Sequence, residues 1–444
     1  MKRREALFRF IQRTSNRFDA RFTASGKILL LAIVVSFIFA LDPRQTLAYQ
    51  LTAVLLAIFT VALIGVLLPR ISLDIQRRLP QFLVVGVPSE YAVELTNAKN
   101  ADCSSLSIRD YLASEKTLGF NYRADGAASS LNWYERTIGF MPWLAEQRRR
   151  AGAKAQPSES IDLMGHQRRT VKIPITALRR GVLDFDRVEI RQTETLGVLR
   201  AVKTRNIGDR LIALPPKVPL PKITWRSKRQ LRRGGINLAS AVGDSQEFIG
   251  LRDYRPGDPL RQIHWRSFAK LGTPVVKEHQ DEYFEHHALV LDNGIAAGQE
   301  RLFEAAVSVA ASFVDTKIPA DSLLDLVLVG EKVWRHSLGR GAGDKSQLLE
   351  QLALVQANHD GRDKLTAEHI FEVLQHCGTV VFICCQWDQG VNQLVEKLAQ
   401  HSISVLPIQV VEKRSSEGRH YQIEATRLSQ QLPEIVSQHN HAQR

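Results

Sequence analysis

The sequence predicts a multidomain fold: an N-terminal transmembrane helical hairpin, a β-sandwich middle domain and a C-terminal α/β doubly wound domain. Three observations carry this. Two charge-free apolar runs stand near the N-terminus, at residues 28–41 and 47–68. Short runs of period two then continue to about residue 221, and beyond residue 286 strand-like and helix-like segments alternate. A chain of 444 residues has room for two or three domains, and 44% hydrophobic with 24% charged side chains is ordinary globular composition. Disordered and collagen-like readings are thereby excluded.

The second apolar run has 22 residues, roughly 33 Å of helix at about 1.5 Å per residue, enough to cross a hydrocarbon core. The first has 14 and reaches 18 only if residues 24–27 join it with the Lys27 ammonium snorkelling to the headgroups. A five-residue connection favours a hairpin over two alternatives, a cleaved signal peptide followed by one anchor, and a buried soluble hairpin. Lys2, Arg3, Arg4, Arg9, Arg13, Arg17, Arg21 and Lys27 precede the first run, and Arg70, Arg77 and Arg78 follow the second, whereas the connection holds Asp42 and Arg44. The positive-inside rule then predicts two passes with both termini cytoplasmic. Cys103, Cys377, Cys384 and Cys385 have neither disulfide-framework nor four-ligand zinc spacing, which agrees with a reducing compartment.

The expected division is a basic N-terminus (1–27), the hairpin (28–68), a β-rich domain of immunoglobulin-like size (69–221), a basic segment (222–285), the α/β domain (286–430) and a C-terminal tail (431–444). Strands are expected at 81–87, 91–96, 104–109, 170–175, 182–190 and 210–214, with an exposed loop at 141–160 containing Arg148, Arg149 and Arg150. In the α/β domain, strands are expected at 287–291, 323–329, 379–385 and 403–410, and helices at 299–317, 345–356, 367–375 and 390–400. Such alternation implies parallel strands joined by crossover helices.

Residues 222–277 hold 12 Lys or Arg against four acids, so +8 of the chain's +13 lies in this segment. Within it, Gly257 before Asp258 predicts a tight turn, and the Asp258 carboxylate is placed to accept from the planar fork of Arg261 or Arg252. Tyr254 and Trp265 each offer an apolar body with one polar handle. Three readings stay open: charges paired for architecture, a surface for a partner or anion, and a catalytic site built on Glu247, Asp258 and His264. No nucleophile, base and orienting group can be read together here.

The ordered run E-F-x-x-L-R-x-Y-x-x-G-D-x-x-R-x-I-x-W is made by Glu247, Phe248, Leu251, Arg252, Tyr254, Gly257, Asp258, Arg261, Ile263 and Trp265. It resembles the bacterial family known as domain of unknown function 58. The resemblance extends to the layout of two spans, a β-rich middle and an α/β end, and to the Arg180-Gly181 and Thr195-Leu196-Gly197-Val198 turns. It implies a von Willebrand factor A-like C-terminal domain, a place in the bacterial inner membrane and partnership with a MoxR-type AAA+ ATPase.

Metal-binding von Willebrand A domains carry D-x-S-x-S after the first strand. Here Asp292-Asn293-Gly294-Ile295-Ala296 keeps the aspartate and lacks both hydroxyls, with Asp388 in position for a second carboxylate. The expectation is no cofactor, and Mg²⁺ held by Asp292 and Asp388 is the alternative.

Other motifs fail on geometry. Gly339, Gly341, Gly343, Lys345 and Ser346 mimic a phosphate loop, but Asp344 falls where its second glycine belongs. His286 and His287 are adjacent on a strand and point to opposite faces, which defeats a shared zinc with His279. His439 and His441 belong to the expected tail. The sequence therefore predicts a non-enzymatic membrane-anchored scaffold or adaptor that binds the ATPase, membrane lipids and membrane or envelope clients. The alternatives are a membrane-associated hydrolase using Glu247, Asp258 and His264, and binding of anionic lipid or nucleic acid through 222–277. Trp225 and Trp265 lie in that segment, but no nucleic-acid module accompanies them.

Overall fold

The structure is a computed structural model that describes residues 2–41, 46–67, 73–113, 152–223, 246–258, 260–281, 285–316, 322–330, 332–337, 344–359, 367–415 and 420–442. It is multidomain, with mixed sheets, and divides into two compact units, Met1–Pro216 and Lys217–Arg444.

The first unit begins with helices α1 (Lys2–Arg21), α2 (Ala24–Phe39) and α3 (Thr46–Leu67). Leu47–Leu67 is long and apolar enough to cross a membrane. The first apolar run forms a helix of only 16 residues, short of the 18 expected, because Ala40 closes it as C-cap. Its start is set by Thr23, whose Oγ1 accepts from the Gly26 amide at 3.0 Å. Ser36 on α2 and Thr52 on α3 bring their hydroxyl oxygens to 2.8 Å, and Thr52 Oγ1 also lies 2.8 Å from the Ala48 carbonyl. Ser36 Oγ lies 3.4 Å from the same carbonyl, so either hydroxyl can donate to the other.

Beyond the helices run β1 (Leu73–Arg78), β2 (Phe82–Val84), β3 (Pro88–Asn97), β4 (Cys103–Leu112), β5 (Ala153–Ala155), β6 (Ile161–Leu163), β7 (Arg168–Ala177), β8 (Gly181–Thr193) and β9 (Arg200–Leu214). They form a four-stranded sheet, β1-β3-β7-β5, and a five-stranded sheet, β2-β9-β8-β4-β6. Alternate residues of both sheets enter one core, with Val93, Leu95, Ile173 and Ile175 from the first and Ile108, Val188 and Ile190 from the second. A buried polar cluster joins β1 to β4: Arg77 grips Asp110 through Nε and Nη2, both at 2.8 Å, and reaches Asp209 through Nη1 at 2.5 Å. The Tyr91 hydroxyl donates to Asp110 at 2.7 Å, and burial together with that carboxylate pushes the phenol pKa up. Residues 114–151, including most of the expected 141–160 loop and Arg148 to Arg150, lie outside the described residues.

The β8–β9 connection docks on the helices. Thr23 donates its amide to the Val198 carbonyl at 3.1 Å, and the Glu194 carboxylate gathers the amides of Leu196, Val198 and Leu199. Gly26 is required here, since a Cβ at that position would fall 2.1 Å from the Val198 oxygen.

The second unit opens with a two-stranded antiparallel ribbon, β10 (Gln246–Asp253) and β11 (Val275–Asp281), with the short helix α4 (Trp265–Leu271) between them. It continues with β12 (Glu285–Asp292), α5 (Glu300–Val314), β13 (Ser322–Val329), β14 (Val333–Ser337), α6 (Asp344–Leu354), α7 (Ala367–Leu374), β15 (Thr379–Cys384), α8 (Gln389–Gln400), β16 (Ser404–Val411), β17 (Tyr421–Glu424) and α9 (Leu428–Ala442). The sheet order is β14-β13-β12-β15-β16-β17, parallel except for the edge strand β14. The wholly buried strand β15 is apolar at every position after Thr379, as expected of a strand covered on both faces. Ala288, Val290, Val380 and Phe382 pack with α7 and α8, while α5 lies against β12 and β15 with nearly all its residues buried.

The expected tail at 431–444 is corrected: it forms most of α9. Leu432, Ile435 and Val436 are buried at helical spacing, and Pro433 inside the helix is what disguised it. His439 is accordingly a buried helix residue whose ring meets Tyr421 edge-on.

Candidate functional site

The motif residues gather on the β10–β11 ribbon and the segment between its strands. β10 carries Glu247 and Phe248 opposite Gln280 and His279, with a bulge before Gly250. The side chains of Glu247, Phe248 and His279 lie outside the described residues, as do residues 224–245, which hold much of the basic segment and Trp225.

At the end of β10 the chain turns through Arg255-Pro256-Gly257-Asp258. Pro256 takes the first central position and Gly257 the second at φ 107°, and the Asp258 amide donates to the Arg255 carbonyl at 3.0 Å. These are the marks of a type II turn, whose third residue needs the positive φ that glycine supplies. The Asp258 side chain closes the turn from outside, its Oδ2 accepting the Arg255 amide at 2.9 Å. Arg252 then grips the same carboxylate with both arms, Nη1 to Oδ2 at 2.7 Å and Nη2 to Oδ1 at 2.8 Å. The hydrogen bonds from Arg252, and next the one from the Arg255 amide, hold the Asp258 carboxyl down at about 2.

Of the two partners expected for Asp258, the structure selects Arg252, which sits six residues back at the strand end; Arg261 is exposed in a 3₁₀ turn, Leu260–Gln262. Ile263 bridges to Val276, and both are buried, which pins the returning chain to β11. The Tyr254 amide donates to the Pro274 carbonyl at 3.0 Å and closes the base of the loop. His264 sits at the start of α4 with Nδ1 2.6 Å from Ser267 Oγ. Gly272 ends that helix at φ 71°.

Large apolar side chains are exposed in the segment that follows this braced turn. Leu260, Trp265 and Leu271 are 65%, 60% and 64% exposed, and Leu251 is exposed beside them in sequence on β10. Trp265 leans edge-on to Phe268 with ring centroids 6.0 Å apart. Leu260 and Leu271 escaped the sequence reading; the signal was three large apolar residues within a segment whose other positions are mainly charged or polar.

The Asp258 carboxylate is ionised throughout the neutral range and saturated by guanidinium and amide donors, so it neither gives nor takes a proton there. His264 faces a serine hydroxyl.

The candidate metal residues are occupied with local backbone. Asp292, fully buried at the end of β12, accepts from the Gly294 amide at 2.9 Å, and Asp388 caps α8 by accepting from the Val391 amide at 2.8 Å. Among the described residues no three His, Cys, Asp or Glu side chains gather as a metal site. His286 lies 3.1 Å from Asp325, which also accepts from Arg335 at 2.6 Å, whereas His287 is fully buried. Residues 339–343 of the phosphate-loop mimic fall outside the described residues, and Lys345 donates to the Thr316 carbonyl at 2.8 Å.

Comparison with known proteins shows that part of this chain is similar to a family of unknown function. The model of the family described as "Protein of unknown function DUF58" matches residues 250–418, from inside β10 to beyond β16. The uncharacterized protein YeaD of Bacillus subtilis (strain 168) is 20% identical over 191 residues, 43% of this chain and 46% of that protein, so the matched stretch spans about half of the relative's length. Among solved structures, the manganese-loaded TRAP protein of Plasmodium vivax covers 36% of this chain and 76% of its own at 10% identity, with a TM-score of 0.25. A PapD-like domain of human CEP192 covers 33% of this chain and 92% of its own at 14% identity, with a TM-score of 0.19.

Proposed function

We propose that the protein is a membrane-anchored, non-enzymatic adaptor that uses the tip of the β10–β11 ribbon to hold a protein partner, a MoxR-type AAA+ ATPase. In this reading α2 and α3 form a two-pass hairpin in a bacterial inner membrane, both termini are cytoplasmic, the two sheets of the first unit form a β-sandwich and the α/β domain is von Willebrand A-like. The Ser36–Thr52 hydrogen bond supports the hairpin, since hydroxyls pair across helices where water is absent. One observation carries the functional reading: Leu260, Trp265 and Leu271 are exposed in the segment directly after a turn that the Arg252–Asp258 pair closes. Exposed aromatic and aliphatic anchors on a pre-organised loop are what protein interfaces use, since little ordering entropy is lost on docking.

The test is affinity purification of the full-length protein in detergent beside a Leu260→Ser, Trp265→Ser, Leu271→Ser variant, with nucleotide present and co-purifying proteins identified by mass spectrometry. Recovery of an AAA+ ATPase with the parent and its loss from the folded variant is the expected outcome. Equal recovery by both moves the interface off the ribbon, and recovery by neither removes the ATPase as partner.

A further inference from the structure

The helix α1 precedes both apolar helices, and its composition is divided lengthwise. Leu7, Phe10, Ile11, Thr14 and Phe18 recur at three- and four-residue steps and share one face. Four of them are large and apolar, yet Leu7, Phe10, Ile11 and Phe18 are all exposed, Phe10 at 67%. Arg9, Arg13, Arg17 and Arg21 follow one another every four residues and form a second stripe along one flank of the first. Glu5, Gln12, Asn16 and Asp19 take the other side.

The helix is also held at its C-terminal end. The rings of Phe18 and Phe22 stack with centroids 4.4 Å apart, Phe22 bridges to Leu199, and Asp19 pairs with Lys27 at the start of α2. Thr23 fixes the break between the helices against the β8–β9 connection. Ala20, away from the apolar stripe, is buried, and α1 lies against β9. These contacts gather at the C-terminal end of the helix, where Phe18 meets Phe22 and Ala20 is buried, while Leu7, Phe10 and Ile11 nearer its start are exposed.

We propose that α1 lies in the plane of the membrane with this stripe embedded in an anionic lipid surface. An apolar face flanked by arginines fits the boundary between acyl chains and phosphates, with the aromatic rings below and the guanidinium groups at the phosphates. Complementary charge selects lipid over other apolar occupants, because the stripe is bordered by cations that a negatively charged leaflet attracts. Continuity selects it too: two residues separate α1 from α2, whose Ile28 and Leu31 are exposed at 68% and 62%. The proposal rests on the reading of α3 as a membrane span.

The test places an environment-sensitive fluorophore on Phe10→Cys, Asn16→Cys or Leu56→Cys in the full chain, with Cys103→Ser removing the half-exposed native thiol and leaving three buried ones. Each protein is reconstituted in phosphatidylcholine vesicles with or without phosphatidylglycerol, and lipids bearing a quencher near the headgroup or deep in the acyl chain report depth. The expected result is shallow quenching at position 10, none at 16 and deep quenching at 56. Quenching at position 10 should weaken without phosphatidylglycerol and after Arg9→Gln, Arg13→Gln and Arg17→Gln, by roughly fivefold in docked-to-free ratio per charge removed. An unquenched position 10 beside a deeply quenched 56 overturns the proposal and leaves the span standing. A blue-shifted but unquenched probe at 10 puts the stripe against protein and equally overturns it, and an unquenched 56 removes span and proposal together.

Discussion

The two units each contain an arginine holding an aspartate through two nitrogens, and the two pairs differ in almost everything else. Arg77 meets Asp110 at 2.8 and 2.8 Å, and Arg252 meets Asp258 at 2.7 and 2.8 Å. Both side chains of the first pair are 0% exposed, whereas those of the second are 34% and 16% exposed. The buried pair is embedded in further partners: Asp209, the Ile207 carbonyl, the Tyr91 hydroxyl and the face of Phe185 at 4.8 Å. The further partners described for the outer pair are backbone groups, the Arg255 amide and the Asp253 carbonyl. Burial works to lower the Arg77 pKa, and the hydrogen bonds and charges of Asp110 and Asp209 outweigh it, so the guanidinium stays charged. Two bidentate forks, side-on through Nε and Nη2 in Arg77 and end-on through Nη1 and Nη2 in Arg252, therefore do different work, one fastening β1 to β4 inside a core and the other fixing the outline of a surface loop.

Breaking the inner pair is expected to have the largest effect. Asp110→Ala leaves a buried guanidinium with Asp209 alone and a tyrosine hydroxyl without its acceptor, a loss of about 3–5 kcal/mol. Hydrogen exchange of the full chain should then show the amides of β1, β3, β4 and β8 exchanging together while β12 and β15 keep their protection. The double replacement Arg77→Met, Asp110→Leu sharpens the contrast. Removing both charges at similar volume should restore part of the protection, since the buried guanidinium is gone while the Tyr91 hydroxyl and Asp209 still lose their partner in the cluster. Protection that stays as low as in Asp110→Ala would mean that the pair itself supplies net stability.

That inner cluster was illegible in the sequence, and the reason is physical. Arg77 reads as one of three cationic flanks of an apolar run, and nothing in its neighbours says that it will face Asp110, 33 positions away, across two sheets. The outer pair was partly legible because it is local: Arg252 and Asp258 are six apart with a Pro-Gly turn between them, although Arg261 competed on spacing alone. The same distinction separates the rest of the fold. The parallel core strands β12, β13, β15 and β16 announce themselves by continuous apolar runs, and the helices between them by period. Edge strands β14 and β17, of five and four residues, carry too little pattern, and α9 was masked by Pro433. The apolar ring of Leu260, Trp265 and Leu271 depends on exposure, which no pattern of residue types encodes.

A smaller effect is expected from the turn that the outer pair braces. Gly257 has open space around its Cα, so alanine meets no clash there, and the whole penalty is the φ of 107°. Gly257→Ala should cost about 1–2 kcal/mol, confined to the ribbon tip. The amides of Arg255 and Asp258 should exchange faster, with those of β15 unchanged. Gly257→Asn tolerates positive φ better and should fall between parent and alanine; equal rates for the alanine variant and the parent would show that the tip is already open in solution.

The smallest effect expected is the response of the outer pair to acid, and its sign follows from the direction of the shift. Asp258 in the folded protein titrates at about 2, below its ordinary value of 3.8, so the ionised form binds Arg252 and Arg255 more favourably than the protonated form does. The contribution to tip order is therefore complete above about pH 4 and is lost as the pH falls through about 2. Over the neutral range the tip should be insensitive to pH, and exchange at Arg255 should rise only in strong acid. In Asp258→Asn, which keeps the shape and removes the charge, that acid step should disappear, and the tip should resemble the acid form of the parent at every pH. An acid step that persists unchanged in Asp258→Asn would assign the order of the tip to groups other than the Arg252–Asp258 fork, and would make the outer pair a passenger on a loop held by its neighbours.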